Sequence, residues 1–337
     1  MPVRLPARLP IRLPRSRRAR WTAIAVPAVL ALLGGAFLTY NTHVLGPEKL
    51  CHGLVSAEDV KRAFPGMGRL SGEDSGTGRS RSCTVERSAV GTGDARFSLR
   101  VSSETASFPF DVGHWEMTAS GDVLTGATPG TADPYKGWVL LPSSCAALSG
   151  PAGPAGSAGR PVLRVSVEKG SAEPAALARL LAAAAASLTA ESGCPPRTGA
   201  GGDDVQPASA VSPTDLGRVC SLPGFRLGKV TGPRGGTVQE RTSGSFDTAW
   251  FCDLSFTGDE RDGPFTTLAV VKDPELAAVL KERNVKKATC GGRETYFLQD
   301  NATYPWEPEE RAAAGFPAES ELSDLFSEAA RKALHCS

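Results

Sequence analysis

Eight cysteines and four histidines are the side chains in this 337-residue chain best suited to chemistry. The cysteines fall into two sets of four: Cys51, Cys83, Cys145 and Cys194, then Cys220, Cys252, Cys290 and Cys336. Four thiols either ligate zinc or form two disulfides. Zinc sites draw their thiolates from closely spaced pairs such as Cys-x-x-Cys, and no such pair occurs here. Disulfides are therefore expected, with no metal and no cofactor, and with them an oxidising compartment. Four cysteines allow three connectivities per set, and spacing alone does not choose among them. Sequential pairing is favoured because the first two cysteines of each set are separated by the same 32 residues.

The histidines offer little acid–base chemistry. His43 follows an apolar stretch, and His52 and His335 adjoin cysteines. Only His114, in DVGHWEM, has carboxylates near it in sequence, at Asp111, Glu116 and Asp122, where a general base would need them. A His-Trp pair more often marks a surface loop or packed hairpin. Nucleophile elbows, His-Glu-x-x-His helices, Ser-x-x-Lys motifs and P-loops are all missing from the sequence. No catalytic residue is assigned, and the chain is expected not to be an enzyme. A cell-wall hydrolase is the enzymatic alternative.

The elements that hold the cysteines repeat in order. In the first set, Ser56 and Asp59 form a capping pattern for a helix over 57–64, which Pro65-Gly66 stops. Alternating apolar residues predict strands at 82–88, 95–102, 137–142 and 161–168. Leu177, Leu180, Leu181, Ala184 and Leu188 share one face of a helix over 174–190. The second set has strand patterns at 237–241, 248–256, 264–271 and 294–299, and a helix over 274–283 beginning at Pro274. Its closing helix, over 318–335, aligns Leu322, Leu325, Phe326, Ala329 and Ala333. The expected fold is α+β: two related domains, each a small antiparallel sheet packed by one long C-terminal helix and stapled by two disulfides. Residues 45–194 form the first domain and 215–337 the second. Residues 195–214, rich in Pro, Gly, Ala and Ser, read as a linker.

Residues 1–20 hold seven arginines and no acid, and residues 21–40 run without a charge between Trp21 and Tyr40. A helix of that length matches the roughly 30 Å hydrocarbon core of a bilayer. The expectation is a cytoplasmic basic tail at 1–20, a signal anchor at 21–40 and extracellular domains beyond it, in a single-pass cell-membrane protein. The chain is +1 overall, which leaves −6 on residues 41–337. That balance argues against a nucleic-acid partner.

LCHGLVSAEDVKRAF, at 50–64, followed by Ser82-Cys83 on a strand, resembles the opening of actinobacterial extracytoplasmic cysteine-paired domains. These include an envelope lipoprotein family of unknown function and the sensor domains of some serine/threonine kinases. The resemblance implies an envelope protein with disulfide-stapled α+β domains, and it carries no catalytic residues. Binding is then the expected role, with a cell-wall ligand or an envelope protein as partner, and a scaffold or accessory subunit as the alternative. Trp115, Tyr304 and Trp306 are the candidate ligand-binding residues, because aromatic rings beside Pro and Gly stack on sugars or prolines.

Overall fold

The computed structural model describes residues 26, 28–35, 37, 42–43, 46–75, 82–89, 93–148, 159–195, 204–232, 235–258, 263–281, 283–300 and 308–337. In chain order, the first part contains β1 (Lys49–Leu50), β2 (Val55–Ser56), α1 (Ala57–Ala63), β3 (Arg69–Ser75), β4 (Ser82–Ser88), β5 (Ala95–Glu104) and β6 (Phe110–Asp111). It continues through β7 (His114–Trp115), β8 (Asp122–Thr125), β9 (Gly130–Ala132), β10 (Lys136–Leu140), β11 (Arg160–Lys169) and α2 (Pro174–Glu191). After β12 (Asp204–Gln206) and β13 (Ser212–Pro213) come β14 (Val238–Gly244), β15 (Ala249–Phe256), β16 (Thr266–Val271) and α3 (Pro274–Ala278). The last elements are β17 (Lys286–Cys290), β18 (Arg293–Asp300), α4 (Pro308–Ala313) and α5 (Glu319–Ala333).

Two antiparallel sheets dominate. One has eight strands in the order β3-β4-β5-β11-β10-β9-β8-β12, and the other has six, β13-β14-β15-β16-β18-β17. The cysteines pair sequentially, as Cys51–Cys83, Cys145–Cys194, Cys220–Cys252 and Cys290–Cys336. Around these bonds the two copies have the same strand neighbours: β3-β4-β5-β11-β10 in the first corresponds to β14-β15-β16-β18-β17 in the second. The backbone repeats as well. Cys51 and His52 have φ of 57° and 52°, and Cys220 and Ser221 have 53° and 58°. Left-handed residues other than glycine are uncommon, so the same pair at both first cysteines marks one local design used twice.

Each sheet has one face toward helices. Phe97, Leu99, Leu163 and Val165 pack under α1 and α2 in the first core. Gly137 allows this closeness, since a Cβ there would lie 2.9 Å from a Leu181 methyl carbon. In the second, Trp250, Cys252, Leu254 and Leu268 pack against Leu322 and Phe326 of α5. Period-two alternation sends the neighbouring residues to the opposite faces. There Trp138, Leu140, Val162 and Val123 of the first copy meet Phe251, Ala269, Val271 and Leu298 of the second in a third core. Domains in one chain move relative to each other unless their interface is large and apolar. Here each large side chain withdrawn from water contributes roughly 1.5–3 kcal/mol, and the shared core makes the two copies one body.

Several expectations are corrected. Among the described residues no helix is long and apolar enough to cross a membrane. Residues 26, 28–35 and 37 of the expected 21–40 anchor are helical and the rest of that segment lies outside the described residues. This finding overturns the transmembrane helix and the single-pass localisation drawn from it. The fold of two small sheets, each with a long C-terminal packing helix, is also overturned. The sheets have eight and six strands, and α2 shares its side with α1, while α5 lies mainly on β17 and β18. The described part of the expected linker is structured: β12 pairs with β8 and β13 pairs with β14, so one strap adds an edge strand to each sheet. The helix expected over 274–283 ends at Ala278.

Candidate functional site at the junction of the two copies

A two-residue turn containing Gly113, at φ 79°, folds β6 onto β7 and aims this hairpin at the second copy. Phe110 and Trp115 meet edge to face with ring centroids 5.3 Å apart, and Phe110 also stacks at 6.4 Å on Phe251 across the junction. Two arginines secure the same seam through backbone carbonyls. Arg283 donates to the Phe110 carbonyl. Arg160 donates to the carbonyls of Phe108 and Glu275, each at 2.7 Å. These charge-assisted bonds satisfy groups that the apolar seam would otherwise leave dry.

Beside the hairpin lies an open groove of about 550 Å³. Trp115 and Val112 come from the first copy, while Arg283, Lys286 and the α5 residues Ser320 and Ser323 come from the second. Trp115 is 9% exposed, and Val112 at the rim is 89% exposed. A neighbouring cleft of about 80 Å³ has Trp115, Trp138, Glu116, Lys136 and Arg164 in its wall. Arg164 donates from Nε to Glu104 at 2.8 Å, reaches Glu116 at 3.4 Å and sits 5.0 Å over the Phe108 ring. Burial works against its charge, but the hydrogen bonds and charges of Glu104 and Glu116 overcome this and raise its pKa.

The seam also buries a carboxyl. Asp253 is 6% exposed and lies on the β15 face turned toward the first copy. Thr267 Oγ1 donates to it at 2.7 Å. The backbone of Ala119 and the side chain of Thr118, both from the first copy, bond to it, and the charge of Arg241 favours its ionised form. Burial outweighs these partners and pushes its pKa up to about 6.

Of the candidate residues, Trp115 stands at the junction, whereas Tyr304 and Trp306 lie outside the described residues. The carboxylates expected near His114 do not gather around it. Glu116 is 3.5 Å from the exposed His114 ring, Asp111 accepts from Thr105 and Ser107, and Asp122 accepts from the backbone of Ala208. Among the described residues no cluster of three His, Cys, Asp or Glu side chains could hold a metal ion. Val112, Arg283 and Ser320 were not singled out by sequence, because the groove joins segments roughly 170 to 200 positions apart. No family model, curated protein or solved structure matches the chain.

Proposed function

We propose that this chain is a binding protein of an oxidising, extracytoplasmic compartment whose ligand seats in the groove between its two copies. The observation that carries the reading is the groove itself. It is built from both copies, has an aromatic wall at Trp115 and is rimmed by Arg283, Lys286 and Ser320. Binding sites favour domain junctions because an apolar wall there meets a few placed polar groups. The four disulfides support the compartment. A cell-wall fragment, or a segment of an envelope protein, has the mixed apolar and polar character that such a lining takes.

Intrinsic tryptophan fluorescence tests this during titration with soluble muropeptides and with proline-containing peptides. Saturable binding to either is expected, weakened at least tenfold by Ser320→Trp, which fills the groove from an exposed helix position. A response that Ser320→Trp leaves unchanged, or no response to either probe, would overturn the reading.

A further inference from the structure

The two copies differ at one edge. In the first, β10 continues into β9, β8 and β12, and α2 lies across all of them. In the second, the corresponding strand β17 ends the sheet, while α5 lies mainly on β17 and β18. Under α5, on the outer side of β17, is an open groove of about 710 Å³ walled by Lys286, Asp324, Glu328 and Arg331. The place that β9 fills in the first copy is taken in the second only at the Cys290 end of β17, by an antiparallel bridge to Cys336, and is open beside Lys286.

The backbone of β17 is set to pair there. Thr289 exchanges hydrogen bonds with Ser337 on the outer side, with Thr289 donating at 3.4 Å and Ser337 at 2.9 Å. In an antiparallel ladder, every second residue faces the same neighbour. Lys287, two positions earlier, thus turns its N–H and C=O outward, and they take no partner among the described residues. Exposed edges of this kind accept extended segments by main-chain pairing.

We propose that β17 takes up an extended acidic peptide segment of a partner protein as an added antiparallel strand beneath α5. Charge selects the occupant. Lys286 is paired with Asp324 and Lys287 with Glu294, while Arg331 and Lys332 form no ion pair among the described residues and outnumber Glu328, the other unpaired charge in the groove wall, which leaves the lining net positive. The inference deepens the junction-groove reading and rests on it for one end of the site, since Lys286 lines both grooves.

The test is fluorescence anisotropy at low salt with the full chain and a labelled decapeptide alternating threonine and glutamate. Saturable binding is expected. It should weaken at least tenfold when alternate peptide nitrogens are methylated, when lysine replaces glutamate, and in the double variant R331E/K332E. Equal binding of the methylated peptide, a preference for the lysine peptide, or no binding would overturn strand addition. A chain that dimerises through β17, shown by sedimentation and lost in Lys287→Pro, would overturn the heterologous occupant. Peptide binding lost in Ser320→Trp but indifferent to methylation would leave the groove reading standing and remove strand addition. The reverse pattern would do the opposite.

Discussion

Asp253 is the residue whose chemistry most directly reports the seam. Its pKa in the folded chain is about 6 against an ordinary 3.8. Between those values the folded state holds a proton that the unfolded state has released. The stabilisation is complete below about pH 4 and is lost as pH rises through 6, by roughly 3 kcal/mol in all. Asp122 and Glu240 are also shifted upward by burial, while hydrogen bonds hold Asp94 and Glu294 down, and bonds from Arg164 and Ser102 overcome burial to lower Glu104, all three acting the other way. The shift at Asp253 outweighs them, so the chain is expected to resist urea better at pH 4.5 than at 7.5. Asp253→Asn should flatten that difference and leave the pH 7.5 midpoint equal or higher. Asp253 was within reach of sequence, since it is the charged residue in the strand AWFCDLSF. What sequence lacked was the partner: Thr118 and Ala119 lie more than 130 positions away, and nothing local announces their approach.

Long strands and long helices with a face to bury were legible, whereas β3, seven residues of which only Leu70 is buried, was not read as a strand. Alternation in residues 95–104, 160–169 and 249–256 places one side of β5, β11 and β15 toward a helix, and the structure has strands there. The short strands were not legible. β6, β7 and β9 have two or three residues, too few for a period to show. β12 and β13 were read as linker because main-chain pairing at a sheet edge needs no apolar side chain. The strap they form is held by backbone bonds, among them Ser209 N–H to Thr242 at 2.7 Å and Thr214 N–H to Val238 at 3.0 Å. Val205→Pro, in the middle of β12, should cost roughly 1–3 kcal/mol in urea unfolding. It should also make residues 204–214 newly sensitive to protease. Unchanged stability and protection would show that the strap is not an integral part of the sheets.

At the scale of the whole molecule, the two halves share a strand order and left-handed cysteine corners. The organisation, however, is not two beads on a linker. Trp138 shows why. It lies in the strand expected at 137–142, but the core it joins is the one shared with the second copy, where its ring lies 4.6 Å from Phe108 and its N–H bonds the Glu116 carbonyl at 3.0 Å. Residues facing a neighbouring domain and residues facing their own helix have the same period, so sequence does not separate one core from two. The junction groove exists only because the sheets are locked face to face, and Phe251 is central to that lock. Phe251→Ala should cost about 3–5 kcal/mol. The most direct measurement is differential scanning calorimetry of the full chain with its disulfides intact, beside Phe251→Ala. The account predicts one cooperative transition in both, with equal calorimetric and van't Hoff enthalpies and the whole transition moved down by the substitution. Two separate transitions, with only one shifted by Phe251→Ala, would contradict it.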